Sequence, residues 1–176
     1  TERTKFVAVT GMSNVLGTIN PIRELTARAH ARGALILVDG AQSVPHQPVN
    51  VRDLDIDFLV FSGHKIYGPS GIGILWGKQK LLDAMDPFQF GGNMIREVFL
   101  ESSTWADLPG KFEAGTIPIA EAVALGTAIR YVQQFDPQAV HAHEMELTAR
   151  AFQLLQAIPG VTIYGPDLEH RGSIVS

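Results

Sequence analysis

Three short apolar runs in this chain each lead into residues able to do chemistry. Phe6 to Val9 leads to Ser13-Asn14, Leu35-Ile-Leu-Val38 stops at Asp39-Gly-Ala-Gln42, and Phe58-Leu-Val-Phe61 stops at Ser62-Gly-His-Lys65. A lysine in a partly desolvated position loses basicity, and its amine becomes nucleophilic enough to condense with a carbonyl as an imine. Ser62 and His64 flank that lysine with a hydroxyl and an imidazole, which suit phosphate oxygens. Asp39 follows four aliphatic residues, where an unpaired carboxylate is costly, so the sequence predicts a buried cationic or hydrogen-donating partner for it.

A protonated pyridine nitrogen is one such partner. An acid facing that nitrogen keeps it charged and lets the ring act as an electron sink, which is what pyridoxal phosphate asks of its protein. Gln42 stands where it could donate to the ring's phenolate oxygen. Taken singly, Asp39-Gly40 also fits an ordinary Asp-Gly turn, and the other residues fit surface loops. Their conjunction carries the reading, because ligands of open α/β sheets bind beyond the carboxyl ends of the strands.

The elements that must position these residues follow a strand-helix-strand rhythm, which predicts an α/β fold with a mostly parallel sheet and flanking helices. Asn20-Pro21 opens a helix through about Arg32, with Ile22, Leu25 and Ala29 on one face and Gly33 as its C-cap. Gly71 to Trp76 reads as a further strand, followed by a short helix over Lys78 to Met85. Pro87 to Gly115 is rich in glycine, serine and aromatics, and is expected to be an irregular loop with a functional or intersubunit role. Ile119 to Phe135 returns to helical spacing. Asp136-Pro137 then starts a second helix to about Ile158, placing a hinge between a domain over residues 1–135 and the opening of a smaller α+β domain over 136–176. Val161 to Tyr164 and Gly172 to Ser176 are expected to be the first strands of that second domain.

Composition narrows the function. A chain of 176 residues can bury one sizeable core, and 45% hydrophobic with 18% charged residues is ordinary globular usage. A net charge of -4 argues against nucleic acid or an anionic membrane as the main partner, and favours a small molecule. There is no cysteine, which excludes disulfides, zinc-thiolate sites and a thiol nucleophile within these residues. No apolar run approaches the roughly 20 residues that cross a bilayer, so a cytoplasmic setting is expected. Gly68 to Gly73 and Gly77-Lys78 lack the phosphate-loop spacing, with Ile72 and Gln79 where that motif wants glycine and a hydroxyl. His141, His143 and Glu144 lack the further ligands of a metal site and read as a solvated helix face. Gly91-Gly92-Asn93 is expected to shape the long loop.

The stretches Val38 to Gln42, Phe61-Ser-Gly-His-Lys-Ile-Tyr-Gly-Pro-Ser-Gly-Ile-Gly-Ile-Leu75 and Phe112-Glu-Ala-Gly-Thr116 resemble cysteine desulfurases. The resemblance is to the group that includes selenocysteine lyases and serves the SUF route of iron-sulfur assembly, among the fold-type I, class V aminotransferase-like enzymes. It runs over nearly the whole chain. It implies Lys65 as the Schiff-base lysine, Asp39 on the pyridine nitrogen, Gln42 on the phenolate oxygen, and Ser62 and His64 on the phosphate. It also implies Asn14 beside cofactor and substrate, and Thr116 reaching the phosphate of the neighbouring subunit in a homodimer. Thr116 is followed by Ile-Pro where many relatives have Pro-Asn.

The implied reaction converts L-cysteine, or L-selenocysteine, to L-alanine. Sulfur passes to an enzyme cysteine and on to an acceptor protein of the SUF route. The ring-stacking histidine, the upstream phosphate loop, the catalytic cysteine and the substrate-binding arginine of such enzymes have no counterpart here, so the chain is expected to be an internal fragment. Other class V enzymes, kynureninase-like or aminotransferase-like, and a catalytically inert piece are the alternatives.

Overall fold

The computed structural model describes all residues, 1–176. Strands β1 (Phe6–Thr10), β2 (Leu35–Asp39), β3 (Phe58–Ser62) and β4 (Gly73–Gly77) form one sheet in the order β1-β2-β3-β4. β1, β2 and β3 run parallel, and β4 returns antiparallel to β3. The crossover from β1 to β2 is α1 (Ile22–His30), and Gly33 leaves its end at φ 66°, the left-handed geometry that glycine adopts without penalty.

Alternation along the strands decides what is buried. Val7, Val9, Ile36, Val38, Leu59, Phe61 and Trp76 share one face, and with Ala29, Ala34 and Ile56 they form the main core under α1. The opposite face carries Phe6, 48% exposed, and Leu75, 40% exposed, with the Phe6 and Phe58 rings 6.0 Å apart. Asp39, Val60 and Ser62 belong to this second, more open face.

After β4 come α3 (Gln79–Ala84), α4 (Ile119–Val132) and α5 (Pro137–Gln156), with a four-residue helix, α2 (Ser43–His46), following β2. Asp136 caps α5 by accepting from the Gln138 amide at 3.1 Å, with Pro137 in the first turn, as the Asp-Pro signal implied. The long segment Pro87–Gly115 is less irregular than expected. It holds a two-stranded antiparallel hairpin, β5 (Ile95–Val98) with β6 (Ser103–Trp105), whose four-residue connection has no Asn-Gly or Asp-Gly turn signal.

The last segment also differs. Val161–Tyr164 and Gly172–Ser176 are not strands. Their backbone is used at isolated points, Tyr164 N–H donating to Ser176 at 2.7 Å and Gly172 N–H to Gly17 at 2.8 Å, so no ladder forms.

The amino ends of the strands are fastened by a charge cluster. Asp57 is 3% exposed; one oxygen accepts from the Ile36 amide at 2.8 Å and lies 2.8 Å from His30 Nε2, and the other is 2.9 Å from Lys78 Nζ. Lys78 also reaches Asp55 at 2.7 Å. Burial alone would raise the Asp57 carboxyl, but hydrogen bonds from Lys78, His30 and Ile36 and the nearby charge of His30 outweigh it and hold it below the usual 3.8. A depressed folded value means the stabilisation is complete above the unfolded value and is lost as pH falls through the folded one. Asp57→Asn is therefore expected to cost about 1–3 kcal/mol at pH 7. In urea melts at successive pH values it should also flatten the loss of stability below about pH 4.

Candidate active site

Parallel pairing brings three strand ends to one edge. Thr10 is level with Asp39, and Asp39 with Val60, and the pairing continues as Gly11 N–H donates to Asp39 and Gly40 N–H to Val60, both at 2.8 Å. Ser62 lies two residues farther along β3, roughly 7 Å beyond Asp39 in the strand direction and on the same face. Gly40 keeps the edge tight, since a Cβ there would sit 2.8 Å from Leu59 Cδ1 and 2.9 Å from Val44 Cγ2.

The chain then turns through a 3₁₀ segment, Gly63–Ile66, that carries His64 and Lys65. Gly63 N–H donates to Ile72 at 2.9 Å, and Gly68 N–H to Gly63 at 3.0 Å. Tyr67 closes the turn at φ 60°. Ile66 is buried, and Leu125 of α4 packs so closely on Gly68 that a Cβ there would meet its Cδ1 at 2.8 Å. Lys65 is thus half-buried on a turn braced from both sides, while His64 beside it is exposed. Neither side chain makes a hydrogen bond or ion pair within the chain, and Ser62 and Gln42 also keep their side-chain polar atoms free of such bonds.

Asp39 is less buried than its aliphatic run suggested. Its carboxylate is exposed; Oδ1 accepts the Ala41 amide at 2.9 Å, the Asp-Gly turn geometry, and no cation pairs with it. The physical reason is parity, because the even-numbered residues of β2 are buried under α1 and Asp39 falls on the odd-numbered, open side. Oδ2 remains available at the sheet edge.

Asn14 is exposed on the turn after β1. There the Ser13 hydroxyl accepts the Val15 and Leu16 amides at 3.2 and 3.1 Å, and Ser13 N–H donates to Thr18 at 2.9 Å. Thr116 is exposed on a different loop, fastened by Gly115 N–H to Gly92 at 2.8 Å and by Asn93 Nδ2 to Gly115 at 3.3 Å. Its bonds join it to Gly92 and Asn93 rather than to the strand ends. Glu144 is not a solvated surface acid as expected, since it holds His46 Nδ1 at 2.8 Å and ties α5 to the short helix after Gln42. No sequence signal marks Arg171, which is buried against the Asn14 turn.

The donor set suits a phosphorylated pyridine aldehyde. One edge offers an unengaged amine, a carboxylate oxygen, a carboxamide, a hydroxyl and an imidazole, with no bond inside the chain that a ligand would have to break, save the single Ala41 contact to Asp39. The aminotransferase class-V family model matches residues 1–176.

The chain belongs to that family. Its members depend on pyridoxal phosphate. The chain is similar to cysteine desulfurases of Haloferax volcanii, 51% identical over 99% of this chain, and of Dickeya dadantii, 52% identical over 99%. It spans 41% and 42% of those two proteins. Among solved structures, the Escherichia coli cysteine desulfurase CsdA superposes with a TM-score of 0.94 at 37% identity, covering 99% of this chain and 43% of that one. A cysteine desulfurase from Thermococcus onnurineus does so at 0.92 and 38%, covering 97% and 43%. These class-V folds agree with the α/β, mostly parallel sheet expected from the sequence.

Gly63 tests the site's geometry, because a Cβ there would lie 3.0 Å from the Ile72 carbonyl, which is backbone and cannot swing aside. Gly63→Ala is expected to destabilise the protein by about 1–3 kcal/mol through overpacking. It should weaken pyridoxal-phosphate uptake, read by absorbance titration, more than an alanine at exposed Gly92 does.

Proposed function

We propose that this chain is the lysine-bearing part of a cysteine desulfurase, a pyridoxal-phosphate enzyme that takes L-cysteine to L-alanine and passes the sulfur to an enzyme cysteine as a persulfide. The observation that carries the proposal is that Lys65, Asp39, Ser62 and His64 follow neighbouring strand ends at one sheet edge with their polar atoms uncommitted save for the Ala41 amide on Asp39 Oδ1, in a chain about half identical to named cysteine desulfurases. When bound, the cofactor supplies an electron sink for the bond being broken at the substrate's α-carbon. Lys65 Nζ would hold the cofactor and would serve as the base for the substrate's α-proton. Asp39 Oδ2 would keep the ring nitrogen protonated, and Gln42 would hold the phenolate oxygen. Ser62 and His64 would hold the phosphate, and Asn14 would orient ring and substrate from the turn after β1.

The sequence holds no cysteine, so on this reading the sulfur-accepting thiol comes from outside these 176 residues. Activity on L-selenocysteine, delivery to an acceptor of the SUF route, and a cytoplasmic setting, where thiols stay reduced, complete the proposal. No helix is long and apolar enough to cross a membrane. A homodimer fits the run of exposed apolar residues from Phe88 and Phe90 through Val98, Phe99 and Leu100 to Ile117, and it gives Thr116 a partner's phosphate to reach. We place the division between the large domain and the opening of the small one at Asp136, where α4 gives way to α5.

Reduction with borohydride in the presence of pyridoxal phosphate, followed by peptide mapping, is expected to place the adduct at Lys65. A full-length protein carrying this segment together with the sulfur-accepting cysteine, given L-cysteine, should release alanine, with Lys65→Ala lowering the rate by at least about 10²-fold. Adducts spread over surface lysines, with Lys65→Ala labelling equally, would remove the site. An adduct at Lys65 with turnover of cysteine giving no persulfide would favour an aminotransferase-like or kynureninase-like member instead.

A further inference from the structure

The Asn14 turn is not held by its own residues alone. Ile19 N–H donates to His170 at 3.0 Å, Gly172 N–H donates to Gly17 at 2.8 Å, Arg171 bridges to Thr18, and the Ser176 hydroxyl donates to the Val15 carbonyl. The segment from Tyr164 to Ser176 therefore clasps the turn that carries Asn14, although about 150 residues separate the two in sequence.

At the centre of that clasp is Arg171, 1% exposed, and no carboxylate pairs with it. Its guanidinium donates from Nε to Pro166 at 2.7 Å, from Nη1 to Ile174 at 3.0 Å and from Nη2 to Tyr164 at 2.8 Å, and it lies 4.6 Å from the centre of the Phe152 ring. A buried cation satisfied by carbonyls is stable only while all of them stay in place, and a planar fork of donors fixes their mutual geometry. The fit leaves no slack. A Cβ on Gly165, already at φ 101°, would lie 2.5 Å from Arg171 Nη2, and one on Gly172 would lie 2.1 Å from Sδ of the fully buried Met12.

We infer that Arg171 is a positioning residue for the active site: by locking the 164–176 loop against Met12 to Ile19, it sets where the Asn14 side chain stands at the cofactor edge. The inference rests on the reading of that edge as the pyridoxal-phosphate site. It also makes the opening of the second domain part of the site's framework, so that movement of α5 and the segment after it is felt at Asn14.

The test uses the full-length protein that carries this segment and the sulfur-accepting cysteine, loaded with pyridoxal phosphate, with Arg171→Lys, Gly172→Ala, Asn14→Ala and the Arg171→Lys/Asn14→Ala double variant. Lysine keeps the charge and loses the fork. Arg171→Lys is expected to exchange the Ile19 and Gly172 amides about tenfold faster while β2 amides are unchanged. It should keep the absorbance of the Lys65-linked cofactor and lose roughly ten- to a hundredfold in kcat/KM. Adding Arg171→Lys to Asn14→Ala should cost no more than about twofold beyond Asn14→Ala alone, since the two act through one turn. If Arg171→Lys does not fold, Gly172→Ala, which pushes on Met12 with the guanidinium intact, must show the same pattern. Losses that multiply in the double variant, or faster exchange with kcat/KM unchanged, would overturn the positioning role. A wild-type chain that takes up no cofactor at Lys65 would instead overturn the site itself, and the two failures are told apart by that absorbance.

Discussion

Parallel pairing of β1, β2 and β3 is the constraint on which the site depends. In a parallel sheet every strand delivers its carboxyl end to the same edge, so residues far apart in the chain need only follow their strands by a few positions to meet. Thr10, Asp39 and Val60 lie level across the sheet, and the Gly11-to-Asp39 and Gly40-to-Val60 hydrogen bonds extend that order into the loops. A slip of one residue in β2 would turn Asp39 under α1 and bring Val38 to the open face. The apolar alternation of Ile36 and Val38 therefore fixes the chemistry as well as the core.

The two ends of the sheet divide the work. At the amino ends, Asp57 gathers Lys78, His30 and the Ile36 amide, fastening α1, β2 and the end of β4 around a buried carboxylate whose hydrogen bonds are met within the fold. At the carboxyl ends Gln42, Ser62, His64 and Lys65 keep their side-chain polar atoms free of bonds within the chain, and the rigidity comes from backbone, as in the Gly63–Ile66 turn held by Ile72 and roofed by Leu125. A site assembled this way holds its reactive groups ready without spending them on one another.

Much of this was legible in the sequence because it rests on local signals. The apolar runs end where the strands end, Asp136-Pro137 starts α5, Gly33 closes α1, and Ser62-Gly-His-Lys65 falls on the turn after β3. What escaped depends on partners distant in sequence. The four aliphatics before Asp39 suggested burial on both faces, whereas only the side toward α1 is covered. The β5–β6 hairpin lacks a turn signature, and Val161–Tyr164 and Gly172–Ser176, strand-like in composition, find no neighbouring strand to pair with. Arg171 gave no signal, since an arginine in a polar loop looks the same whether it faces water or a cage of carbonyls.

On the proposed function, Lys65 and Asp39 face one cofactor from neighbouring strand ends. A crystal structure of the full chain soaked in pyridoxal phosphate tests it most directly. Continuous density from Lys65 Nζ to the ring, with an Asp39 carboxylate oxygen at about 2.7–2.9 Å from the ring nitrogen, is the expected result. A cofactor joined to another lysine, or a ring nitrogen facing away from Asp39 while its carboxylate stays on Ala41, would contradict it.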